Sequence, residues 1–81
     1  MFVDTSGWAN LYIPTEDYHS QAVGCFQQVR KQRETLVTTN YVVAELVALL
    51  DSPLRIFRPR LFEIVDSIKT ASFVQIIHID A

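Results

Sequence analysis

The chain has 81 residues, 49% hydrophobic and 20% charged, with a net charge of −2 at pH 7. That length holds one domain at most, residues 1–81, and a chain this short buries only about 60% of the surface it exposes when unfolded. The composition excludes a disordered chain and predicts apolar surface left over for a partner, a homo-oligomer in the first place. The acidic balance excludes an overall electrostatic footprint for nucleic acid, so a basic binding surface has to be local: Arg30, Lys31 and Arg33, or Arg55, Arg58 and Arg60. Cys25, the single cysteine, has no internal disulfide partner, and no basic, then apolar, signal-like segment opens the sequence. Both features predict a reducing cytoplasm. The apolar runs Tyr41–Leu50 and Phe73–Ile79 fall well short of the roughly 20 residues that span a bilayer, so a soluble protein with no membrane partner is expected.

Phe2 and Val3 predict a short buried first strand, and Ser6–Tyr12 has helical composition up to Pro14. Asp17 is placed to cap a longer helix whose apolar stripe is Ala22, Val23, Phe26 and Val29 and whose last turn gathers Arg30, Lys31 and Arg33, where cations favour the helix dipole. Leu36–Thr38 is β-prone and predicts the second strand. Asn40 is a natural cap for a helix over Tyr41–Leu50 that Ser52 and Pro53 close. After Pro59, Leu61, Phe62, Ile64, Val65 and Ile68 recur at helical spacing. Phe73–Ile79 predicts a third strand, and its nearly continuous apolar run suits a parallel sheet covered on both faces. The order β-α-α-β-α-α-β is that of an α/β three-layer unit, a parallel sheet flanked by helices.

Ligands of open parallel sheets bind outside the carboxyl ends of the strands, where Asp4 sits. An acid there is either the cap of the following helix or a metal ligand, and Thr5 or Ser6 could cap as well. Glu45 lies early in the helix after the second strand and reaches the same edge if the two strands are neighbours. Its helical neighbours Val42, Ala48 and Leu49 are apolar, which predicts a carboxylate on or beside a buried stripe, costly unless paired or metal-bound. Together the two acids favour an oxygen-lined site for Mg²⁺ or Mn²⁺.

"FVDTSGW" at the start and "LVTTNYVVAELVALL" some forty residues later resemble the PIN-domain nucleases, in particular the toxin ribonucleases of toxin/antitoxin modules. The resemblance extends over the whole chain as the first part of that domain. It implies that Asp4 and Glu45 are catalytic metal ligands, that Thr5 or Ser6 assists the metal's water shell, and that the protein is a Mg²⁺- or Mn²⁺-dependent endoribonuclease with an RNA substrate and a cognate antitoxin. It also implies a PIN-like fold truncated after the third strand. The family's remaining aspartates lie beyond that strand, and Asp80 does not correspond to them. The first strand is then an open apolar edge, and pairing of two chains through it is expected, with the two copies of Asp4 near each other.

A catalytically incomplete PIN-like remnant, acting by self-association or partner binding, is the alternative. Phosphoryl transfer on an aspartyl nucleophile is disfavoured, because Ser6 stands where a second acid is expected. His19 and His78 are too far apart to form a zinc motif with Cys25. Trp8, Tyr12 and Phe26 suit a core better than a base-stacking surface, and with Gly7 and Gly24 as the only glycines there is no phosphate-cradling loop.

Overall fold

Asp4 adopts an extended conformation (φ −88°, ψ −177°) and caps helix α1, Thr5–Tyr12, so the first strand can run no further than Val3. What remains is a single parallel bridge, Phe2 to Val37, with the Val3 N–H donating to the Val37 carbonyl and the Val37 N–H to the Met1 carbonyl, both at 2.8 Å. The protein is seen here as a computed structural model that describes residues 1–80; Ala81, the predicted end of the domain, lies outside the described residues.

Helix α2 runs His19–Lys31 and ends on Arg30 and Lys31, as the dipole argument expects. It does not begin at Asp17. Tyr18 holds the N-cap position without a side-chain cap bond; its own N–H donates to Asn10 Oδ1 at 3.1 Å, so a side chain of α1 fixes where α2 starts. Strand β1, Leu36–Thr39, follows, then α3, Asn40–Asp51. The α3 cap is Thr39, whose hydroxyl accepts from the Val42 N–H at 3.1 Å, rather than Asn40. Helix α4, Arg58–Thr70, carries Pro59 in its first turn, where a missing N–H costs nothing.

Strand β2, Val74–Ile77, pairs in parallel with β1 from Leu36↔Val74 to Thr39↔Ile77. It is shorter than the predicted Phe73–Ile79 because β1 turns into α3 at Asn40 and offers no further backbone. The Asn40 side chain takes over the pairing: its Oδ1 accepts from the Ile79 N–H at 2.8 Å and its Nδ2 donates to the Ile79 carbonyl at 3.2 Å.

The result is the predicted α/β arrangement with a small parallel sheet: a two-stranded ladder with the Phe2 bridge on the far side of β1. Both crossovers advance in the same direction, so right-handed connections put both helix pairs on one sheet face. Burial agrees. Leu36 and Thr38 are buried, and the core they join is built from Trp8, Ile13, Leu46, Leu50, Ile64 and Ile68. Residues of the opposite face, Val37, Gln75 and Ile77, are half-buried or exposed, and Phe2, in the same row as Val37, is 58% exposed. Among the described residues the helices therefore cover one face of the sheet, whereas the apolar run of Phe73–Ile79 predicted cover on both.

One polar contact crosses this core. Trp8 Nε1 donates to Thr38 Oγ1 at 3.2 Å, and the Thr38 hydroxyl donates to the Val3 carbonyl at 3.0 Å. Thr38 is fully buried, and this chain gives its hydroxyl and the indole N–H partners that burial would otherwise deny them.

Candidate metal centre

The first acid does serve as a helix cap. Asp4 Oδ1 accepts from the Gly7 N–H at 2.8 Å and from the Ser6 hydroxyl at 3.1 Å. Both bonds fall on the same oxygen; none of the hydrogen bonds among the described residues runs to Oδ2. Capping and cation binding are therefore compatible in this carboxylate. The approach depends on Gly7: a Cβ there would come to 3.0 Å from Val3 Cγ1 and 3.2 Å from Asp4 Oδ1. That role of Gly7 is invisible in the sequence, where its lack of a side chain has no partner to be measured against.

Glu45 sits elsewhere on α3 than its apolar neighbours suggest. The buried positions of the helix are Val43, Leu46 and Leu50, and Glu45 is exposed, with Ala48 exposed and Val42 and Leu49 half-buried beside it. The apolar content of α3 exceeds what its single buried face absorbs, so neighbours of Glu45 in the sequence do not report its burial. The carboxylate nevertheless has a fixed partner: Glu45 Oε2 accepts from the Thr5 hydroxyl at 3.0 Å.

Thr5 is the residue after Asp4, so this bond ties the second acid to the first across forty positions of sequence. Helices α1 and α3 pack side by side, and their amino-terminal parts carry Asp4, Thr5 and Glu45 to one rim. Thr5 or Ser6 was expected to assist a metal's water shell; here each hydroxyl donates to an acid, Ser6 to Asp4 and Thr5 to Glu45.

Asp80 follows the Asn40-bound Ile79 at the carboxyl ends of the strands. Among the described residues no three His, Cys, Asp or Glu side chains gather as a metal-holding group, so Asp80 does not complete a triad with Asp4 and Glu45. The donor set suits a hard cation all the same. Mg²⁺ keeps several waters and is commonly held by one or two carboxylates together with substrate phosphate oxygens, which is what two outward-facing acids and two hydroxyls offer.

The histidines lie outside this rim's chemistry: His19 Nδ1 is 2.8 Å from the Asn10 carbonyl at the start of α2, and His78 is exposed. Trp8 is core, as expected, and Phe26 packs edge-on against Phe73 with ring centroids 5.5 Å apart. Among the described residues no helix is long and apolar enough to cross a membrane.

Among solved structures, VapC20 of Mycobacterium tuberculosis, described as a sarcin-ricin loop cleaving toxin, superposes with a TM-score of 0.74 at 23% sequence identity. The match covers 99% of this chain and 57% of that one, so the present chain spans 57% of the length of the toxin. VapC20 is a PIN-domain toxin ribonuclease, and the resemblance carried by the "FVDTSGW" and "LVTTNYVVAELVALL" segments is thereby matched in three dimensions, at the level of the fold. No protein-family model matches the sequence, and no curated protein matches it.

Proposed function

We propose that this chain carries part of the active site of a PIN-type endoribonuclease that uses Mg²⁺ or Mn²⁺, the toxin of a toxin/antitoxin module acting on RNA in the cytoplasm. The observation that carries the reading is the Thr5–Glu45 hydrogen bond at 3.0 Å, beside an Asp4 carboxylate with one oxygen uncommitted. The fold shared with VapC20 supports the reaction class.

In this reading Asp4 and Glu45 hold the cation. Bound there, the ion would supply a water of lowered pKa and neutralise phosphate charge. The chain's own groups do the orienting. The Gly7 N–H and the Ser6 hydroxyl aim the Asp4 carboxylate by holding one of its oxygens, and the Thr5 hydroxyl restrains the Glu45 rotamer, so that less side-chain freedom is lost when the rim engages its ligand.

Glu45→Gln tests the assignment. The glutamine carbonyl still accepts from Thr5, so the fold is retained while the charge is removed. Divalent-dependent RNA cleavage, followed on a labelled RNA, is expected to fall by about 10²–10³-fold, the scale set by losing one electrostatic stabiliser. Undiminished cleavage by this variant would remove Glu45 from the site.

Self-association belongs to the same reading, and its support is the uncovered sheet face. The molecule is a slab of 33 × 33 × 19 Å, and the bare sheet face carries Phe2, 58% exposed. Parallel sheets are rarely left bare on one side. Light scattering at tens of micromolar is expected to give twice the chain mass, and Phe2→Asp to return it to the monomer; a wild-type monomer would contradict this.

A further inference from the structure

The segment "RIFRPRLF", Arg55 to Phe62, is what the fold leaves unexplained. It links α3 to α4 and opens the latter. Its course is pinned at alternate residues: the Leu54 N–H donates to the Leu49 carbonyl at 3.2 Å and the Ile56 N–H to the Leu50 carbonyl at 2.7 Å. The Leu54 and Ile56 side chains pack against the core. Arg55 and Phe57, between and after these anchors, face solvent, and Phe57 at 77% is the most exposed large hydrophobic residue of the chain described here.

The charges around it are equally unabsorbed. Arg60 bonds Glu63 at 3.2 Å, the one ion pair among the described residues, which leaves Arg55 and Arg58 without a carboxylate partner. Asp51 lines the same shallow groove as Arg58 without pairing to it. Arg58 and Arg60 also occupy the first turn of α4, where no acid is present and where cations oppose the helix dipole. Folding gains nothing from this arrangement: it sets an aromatic ring in water, two unpaired guanidinium groups beside it, and charge at the unfavourable end of a helix.

We propose that Arg55, Phe57 and Arg58 form a docking surface for single-stranded RNA, separate from the acidic rim, on which a base stacks against Phe57 while Arg55 and Arg58 contact flanking phosphates. The identity of the polyanion rests on the ribonuclease reading; the surface itself rests on exposure and charge. Stacking of this kind tolerates any base, because every base presents a π-face, and the guanidinium groups supply the backbone contacts that hold it there. Phe62, 63% exposed one turn into α4, extends the aromatic surface.

Fluorescence anisotropy of a labelled single-stranded RNA, in EDTA so that cleavage plays no part, tests the proposal. Phe57→Ala is expected to weaken binding about tenfold, the loss of one stacked base. Arg55→Ala with Arg58→Ala is expected to lower the slope of log K against log salt by about 1.4, at about 0.7 for each single-strand phosphate that is no longer neutralised. Both variants alter exposed side chains and are expected to melt with the wild type, which circular dichroism checks. Unchanged affinity and slope in folded variants would overturn the proposal, as would a wild-type chain that binds an acidic peptide at this surface and no RNA. The two readings fail separately: loss of RNA binding in the variants of a protein that never cleaves RNA retains the docking surface and removes the nuclease. Cleavage with unaltered KM and affinity in the variants does the reverse.

Discussion

Trp8→Ala is expected to remove about 3–5 kcal/mol of stability, the usual cost of emptying a large buried aromatic site. Trp8 is 1% exposed at the centre of the core, and its ring lies 6.3 Å from that of Tyr12. At roughly 0.05–0.15 kcal/mol per residue the whole domain has only about 4–12 kcal/mol, so this single change is expected to remove about a quarter of it or more. Urea denaturation followed by circular dichroism measures it. Thr38→Val separates packing from hydrogen bonding in the same place. It keeps the volume and strands the indole N–H, for an expected loss of about 1–3 kcal/mol. A loss below about 1 kcal/mol in Trp8→Ala would mean that the core is not organised around this residue.

Asp4 is expected to give two different results in two substitutions, because it caps α1 and is proposed to hold the cation as well. Asparagine caps a helix about as well as aspartate, whereas alanine costs about 1 kcal/mol. Asp4→Asn is therefore expected to melt with the wild type and Asp4→Ala to melt lower. In RNA cleavage both variants are expected to fall by about 10²–10³-fold, since neither retains the charge that the cation needs. If Asp4→Asn kept both stability and cleavage, the carboxylate would be a cap and nothing more. The pairing of measurements matters, because a fall in activity in Asp4→Ala alone could come from a frayed α1.

How far the sequence foretold this structure varies from residue to residue. The helices were legible because their apolar residues repeat at the helical period, as Leu61, Ile64 and Ile68 do, and because Tyr41–Leu50 is long enough to exclude a strand. Asp4 and Glu45 were legible as candidates from their places after β-prone segments. What escaped depended on contacts between distant parts of the chain. The start of α2 is set by Asn10 rather than by Asp17, and Asn40 serves Ile79 at the sheet's end rather than its own helix. Thr39, an ordinary strand residue by composition, is the cap. The exposure of Glu45 follows from which face of α3 meets α1 and α4, and an almost wholly apolar helix gives no periodic clue to that choice. Thr38 could have been foreseen in kind, since a buried tryptophan needs an acceptor for its N–H, but not by number.

The same distinction applies to the basic segment. Arginines near Pro59 are ordinary in a sequence, where a solvated face accounts for them. Only the structure shows that Phe57 stands exposed among them while Leu54 and Ile56 are held down on either side of Arg55. That alternation makes the segment a presented surface rather than a loose loop.

Asp4 and Glu45 are proposed to share one divalent cation. Titration of Mn²⁺ into the protein, with free Mn²⁺ followed by electron paramagnetic resonance, tests it without reliance on catalysis. One site per chain is expected, lost or weakened at least about tenfold in both Asp4→Asn and Glu45→Gln, the scale on which loss of even a supporting group is felt at metal sites. Equal Mn²⁺ binding by the wild type and both variants, or none by the wild type, would contradict it.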